Sequence, residues 1–171
     1  METILVTGGT GLIGRALSAW LLERGYKVVI LTRKPGYSDN DHLSHAHWDP
    51  AAGVLEAGVL QQADHIVHLA GAGVSEHRWT NTYKKQIIDS RVQASNFLYQ
   101  LLKTQPNKVK TIISASATGY YGETKDEDRP FRETDAPAGD FLGTVCQAWE
   151  QSVRQIESLG KRLSCSGQGS C

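Results

Sequence analysis

The chain has 171 residues, with 18 Lys and Arg against 18 Asp and Glu, and 40% of its residues are hydrophobic. That length suits one domain with a real core, and the balanced charge argues against nucleic acid or an anionic membrane as partner. No apolar run approaches the roughly 20 residues of a membrane span, the opening run breaks at Gly8-Gly9, too early for a secretory leader, and three cysteines at no metal spacing fit a reduced cytoplasm.

The chain opens on an apolar strand, Ile4 to Thr7, followed by a glycine turn and at once by a helical pattern (Leu12, Leu17, Leu21, Leu22). The glycines fall at 8, 11 and 14. Gly8 lets the chain turn off the strand, Gly11 clears a side chain from a backbone that must approach a diphosphate, and Gly14 lets the helix sit close to the sheet. Thr10, Leu12 and Ile13 complete the loop, whose amides and helix dipole suit an anion. Strand, phosphate loop, helix and second strand (Lys27 to Leu31) form the context that a dinucleotide site requires.

The first helix runs to about Arg24 and stops at Gly25. The second strand ends in Thr32-Arg33-Lys34. An acidic residue there would accept bonds from a ribose 2′-hydroxyl and repel a 2′-phosphate. A hydroxyl and two cations suit the phosphate instead, which predicts NADP rather than NAD; the alternative is that Arg33 and Lys34 are only solvated loop charges. A short third strand lies near Ala46-His47-Trp48. Asp49 either faces an adenine edge or begins an Asp-Pro turn. His42, His45 and His47 do not converge without a further ligand, and His65 and His68 point to opposite faces of a strand, so no metal site is expected.

Residues 64–71 read as the fourth strand, and its small end, Ala70-Gly71-Ala72-Gly73, leaves room for the ribose and nicotinamide half of a cofactor, with Leu69, Ala70 and Gly71 expected to bind it. From Thr80 or Asn81, either able to cap it, a long helix carries Ile87, Ile88, Val92, Phe97, Leu98, Leu101 and Leu102 on one face and ends before Pro106. Arg91 within Asp89-Ser90-Arg91 either ion-pairs locally or points at the cofactor cleft. The fifth strand, Lys110 to Ser116, ends in hydroxyls. Ligands of open α/β sheets lie outside the carboxyl ends of the strands, so Ser114, Ser116, Thr118 and a tyrosine (Tyr120 or Tyr121) gather there. A charged loop follows, then a helix opening at Asp140-Phe141 with Val145, Trp149, Val153 and Ile156 on one face.

These features resemble the extended short-chain dehydrogenase/reductase family, in its atypical, epimerase-like branch. The resemblance rests on Thr7-Gly8-Gly9-Thr10-Gly11-Leu12-Ile13-Gly14, His68-Leu69-Ala70-Gly71, Arg78-Trp79-Thr80, Asp89-Ser90-Arg91, Ser114-Ala115-Ser116-Ala117, Gly119-Tyr120-Tyr121-Gly122, Asp140-Phe141-Leu142 and Trp149-Glu150. It implies a Rossmann-like, doubly wound α/β domain over 1–163 with strand order 3-2-1-4-5. It further implies NAD(P)(H) in the glycine loop, a nucleotide sugar or related carbonyl or hydroxyl metabolite as substrate, and a Ser–Tyr–Lys catalytic set. Ser116 matches the serine. Aligning Glu150 with the glutamate that follows the family's lysine places Leu142 and Cys146 where tyrosine and lysine belong, and neither can do their chemistry. Tyr121 and Lys125 have the right spacing but sit in a charged, glycine-containing loop; Tyr120 and Tyr121 are the remaining proton donors. A non-catalytic dinucleotide-binding protein is the competing reading.

The end of the chain, Ser164 to Cys171, is not a strand by composition. Its codons, read one frame over, permit Ile-Leu-Leu-Arg-Thr-Gly-Ile-Val, the apolar sixth strand that the resemblance calls for. The expectation is therefore a frameshifted tail over 164–171, a sheet stopping before strand six, no second substrate-binding half, and self-association through an unpaired fifth-strand edge.

Overall fold

Seven strands and four α-helices are recorded in the computed structural model, which describes residues 1–123 and 130–166. In chain order they are β1 (Thr3–Thr7), α1 (Leu12–Glu23), β2 (Lys27–Thr32), β3 (Leu43–Asp49), β4 (Val54–Leu55), α2 (Val59–Gln62), β5 (His65–His68), α3 (Asn81–Thr104), β6 (Thr111–Ala115), α4 (Phe141–Arg154) and β7 (Arg162–Ser166). They form one sheet in the order β4-β3-β2-β1-β5-β6-β7, parallel except for the β3–β4 pair. The expected order 3-2-1-4-5 is its centre, β3-β2-β1-β5-β6.

Period-two alternation divides the core. Leu5, Val29, Ile66 and Ile112 face α3 and α4, where Leu98, Leu101, Leu102 and Val153 meet them. Ile4, Val6, Val28 and Ile30 face Leu21 on α1. Helices on both faces bury every residue of β1, which explains its unbroken apolar run. Thr80 caps α3, its side chain accepting from the Tyr83 amide at 3.2 Å, and Asp140 caps α4, accepting from the Gly143 amide at 2.7 Å.

Two expectations about the end of the chain are corrected. Ser164, Cys165 and Ser166 are part of a strand, β7, paired in parallel with β6 from Thr111↔Arg162 to Ala115↔Ser166. The fifth strand of the sequence reading is therefore not an edge, and among the described residues the outer edge belongs to β7. Composition misleads here because ladder bonds need only backbone. Leu163 and Cys165 pack on the α3–α4 side of the core, while Arg162, Ser164 and Ser166 are exposed. β4 and the single-turn α2 are additions that a two-residue strand and a four-residue helix gave no periodicity to reveal.

Candidate functional site

The site begins with the turn after β1. Gly8 has φ +71° and its carbonyl accepts the Gly11 amide at 3.0 Å. A Cβ at Gly8 would meet the Leu69 carbonyl at 2.8 Å, and one at Gly14 would meet the Gly8 oxygen at 2.4 Å and the Gly9 Cα at 2.5 Å. Glycine at 8 and 14 is thus a requirement of backbone packed on backbone. Gly11 is the N-cap of α1 and caps it with no side chain, so the first-turn amides have no capping oxygen. Thr10, Gly11, Leu12 and Ile13 are exposed around this opening, Leu12 at 84%. An exposed leucine beside uncapped helix amides, at the carboxyl end of the central strand, fits the diphosphate and ribose of a dinucleotide.

A buried hydrogen-bond chain fixes the neighbouring strand end. The Thr7 Oγ1 accepts the Leu69 and Ala70 amides, both at 3.1 Å. With both lone pairs engaged, its proton is directed at His68 Nδ1, 2.8 Å away. The His68 proton is then on Nε2, facing Ser95 Oγ at 3.2 Å. Complete burial pushes the His68 pKa down to about 4. This network sets Leu69, Ala70 and Gly71 beside Gly8. Sequence reasoning saw His68 only as a non-ligand; its role depends on contacts 61 residues apart.

Thr32, Arg33 and Lys34 stand at the end of β2, on the other side of β1. Arg33 and Lys34 are exposed, and Thr32 Oγ1 accepts the Lys34 amide at 3.3 Å. Asp49 takes its turn role, Oδ1 accepting the Ala51 and Ala52 amides at 3.0 and 3.2 Å.

The hydroxyl end lies at β6. Ser116 is buried, and its Oγ donates to Glu150 Oε1 on α4 at 2.6 Å, a short charge-assisted bond. Glu150 also meets Arg154 Nη2 at 3.4 Å. Ser116, Tyr120, Tyr121, Leu142 and Glu150 line one cavity of about 1190 Å³, which extends to Ser164 and Cys165 on β7. The two tyrosine rings meet edge to face at 5.0 Å, and Tyr121 stacks on Phe131 at 5.1 Å. Burial, then the nearby Glu133 and Glu150 carboxylates, raise the Tyr121 pKa. Leu142 lies over Gly119, and the Cys146 thiol, buried and raised in pKa chiefly by desolvation, points at the Ala117 carbonyl at 3.8 Å. The structure therefore brings Ser116, Tyr120 and Tyr121 together. It sets them at β6, apart from the glycine turn, with the β5 end between. Lys125, the spacing partner of Tyr121, lies outside the described residues. Glu150 served sequence reasoning only as an alignment marker; the Ser116 bond gives it a place in the site.

Among the described residues no helix is long and apolar enough to cross a membrane. Comparison with known proteins agrees with the geometry. The chain is 35% identical over 164 residues to an epimerase family protein of Staphylococcus saprophyticus, covering 95% of this chain and 53% of that one. It is 33% identical over 167 residues to one of Mycobacterium bovis, covering 97% and 52%. The chain thus spans about half the length of these curated relatives. Among solved structures it is similar to the human epimerase family protein SDR39U1 (isoform 2) with NADPH, at 26% identity and TM-score 0.77, covering 99% of this chain and 56% of that one. It is also similar to a nucleoside-diphosphate sugar epimerase from Corynebacterium glutamicum, at 34% identity and TM-score 0.75, covering 96% and 33%. The model of the NAD dependent epimerase/dehydratase family matches residues 4–148, and with the glycine turn, the β5 end and the β6 hydroxyls in place the chain belongs to that family.

Proposed function

We propose that this chain is the dinucleotide-binding half of an NADP(H)-dependent epimerase or reductase acting on a hydroxyl or carbonyl carbon of a nucleotide sugar or a related metabolite. The observation that carries the reading is the backbone cradle of Gly8, Gly11 and Gly14 at the carboxyl rim of the sheet, flanked by Thr32, Arg33 and Lys34 with no carboxylate among those three. Two similar structures, one of the human epimerase family protein with NADPH and one of a nucleoside-diphosphate sugar epimerase, support the cofactor and substrate classes.

The bound dinucleotide would supply the redox couple. The chain's own residues bind and orient it: the amides of Leu12 to Gly14 at the diphosphate, Arg33 and Lys34 at a 2′-phosphate, and Leu69 to Gly71 under the nicotinamide side. Tyr120 or Tyr121 is the proton donor to the substrate oxygen. Ser116 faces the same cavity, and its bond to Glu150 fixes the position of that wall. A second reading, a dinucleotide-binding protein without turnover, is favoured by Leu142 and Cys146, which hold no tyrosine phenol and no lysine ammonium where the family's set would have them.

Fluorescence titration tests the cofactor. NADPH binds at least tenfold more tightly than NADH, and Arg33→Ala lowers NADPH affinity alone by roughly three- to tenfold, about 1 kcal/mol. Equal affinities, or a tighter NADH, overturn the NADP assignment. NADPH oxidation against a panel of carbonyl compounds, absent under saturating binding, would favour the second reading.

A further inference from the structure

Arg91 on α3 carries a charge that the fold does not balance. Its Nη1 donates to the Ala72 and Ile87 carbonyls, each at 3.0 Å, and its guanidinium lies 5.0 Å from the Trp149 ring centroid. Among the described residues no carboxylate pairs with it. The remaining donors, on Nε and Nη2, have no protein acceptor there. Those N–H groups form an edge that fits two oxygen atoms side by side. A half-buried cation held by carbonyls and a ring face keeps its free N–H groups for water or for a ligand that displaces it. Desolvation lowers its pKa.

Its position says which ligand. A Cβ on Gly71 would come within 2.9 Å of the Arg91 guanidinium carbon. Gly71 follows Leu69 and Ala70, whose backbone abuts Gly8. The sheet order β2-β1-β5-β6 sets the rim out in sequence: Thr32 to Lys34, the glycine turn, Gly71 with Arg91, then the β6 hydroxyls. A dinucleotide whose diphosphate lies at the turn, with its adenine half over β2, passes its other half over Gly71. At this level α4 offers the Cys146 thiol and Trp149, so among the described residues Arg91 is the cation recorded beside Gly71.

We propose that Arg91 is a binding residue for the nicotinamide half of the dinucleotide, holding its ribose and phosphate oxygens through the Nε and Nη2 edge. The inference rests on the dinucleotide reading above.

The test is calorimetric titration of the full chain with NADPH and with 2′,5′-ADP, which carries only the adenine half. Arg91→Met keeps most of the stem and removes the donors. It lowers NADPH affinity by tenfold or more and leaves 2′,5′-ADP affinity within twofold. Arg91→Lys keeps the charge without the fork and loses NADPH affinity by threefold or more, again selectively. An Arg91→Met chain with an unchanged ratio of the two affinities overturns the proposal while the dinucleotide reading stands. An equal fall for both ligands overturns it too, because the residue then supports the fold. If Arg91→Met does not fold, Arg91→Lys decides by the same ratio, a selective loss of less than threefold being the negative result. A wild-type chain that binds neither ligand overturns the dinucleotide reading and this inference with it.

Discussion

The two ends of the ligand rim are built by opposite means. At β1–α1 the surface is made of backbone: Gly8 against the Leu69 carbonyl, Gly14 against the Gly8 oxygen and the Gly9 backbone. At β6–α4 it is made of side chains: Leu142 over Gly119, Ser116 bonded to Glu150, Tyr121 stacked on Phe131. A surface of backbone admits no added atom without moving the sheet. A surface of side chains can change its chemistry while the fold stays. That difference lets the chain keep its glycine cradle at 8, 11 and 14 whatever side chains, here Leu142 and Cys146 among them, stand on the α4 wall.

The sharpest way to break the comparison is at Gly14. Gly14→Ala places a methyl against three backbone atoms within 2.9 Å. We expect destabilisation of roughly 1–3 kcal/mol, the usual cost of overpacking. We also expect loss of NADPH affinity on the order of a hundredfold, about 2.7 kcal/mol. Thermal melting and NADPH titration check both, and a variant that binds as the wild type does would show the cradle to be elsewhere.

The link between the two ends, Thr7–His68–Ser95, is sensitive to pH. Unfolded His68 titrates near 6.5 and folded His68 near 4. Between these values the unfolded chain binds the extra proton, so the contribution is whole above pH 6.5 and is lost as pH falls towards 4. Its full size is on the order of 3 kcal/mol. Urea midpoints should fall from pH 7.5 to pH 4.5, and the fall should be smaller in His68→Asn. Equal slopes for the two chains would exclude His68 as the source.

The smallest effect belongs to Gly119. A Cβ there meets the Leu142 Cβ at 2.9 Å, a side chain rather than backbone. Gly119→Ala should shift stability by about 1 kcal/mol or less, and adding Leu142→Ala should change that cost, since touching residues couple. A double-mutant cycle of melting temperatures measures it. If Gly119→Ala costs as much as Gly14→Ala, the contrast between the two ends fails.

The central sheet and the glycine turn were legible because they rest on local signals: apolar runs, glycines at fixed offsets, a capping residue at Thr80 or Asn81, and a helix opening at Asp140-Phe141. The Ser116–Glu150 bond and the carbonyl-held guanidinium of Arg91 were not, because each joins separate elements that only the packed sheet and helices bring together. Arg91 was expected either to ion-pair locally or to face the cleft; its recorded partners are the Ala72 and Ile87 carbonyls, and among the described residues no carboxylate pairs with it. β7 escaped because Ser164, Cys165 and Ser166 have weak strand propensity; alignment on β6 outweighs propensity there.

That alignment has a mechanical consequence. β1 is anchored by five buried residues, β7 by none. β7 is therefore attached through its ladder and two half-buried side chains, Leu163 and Cys165, and the sheet has a tight centre and an edge that can unzip alone. Because β7 also walls the cavity beside Ser116, fraying at this flank would open the hydroxyl end while the phosphate cradle kept its shape.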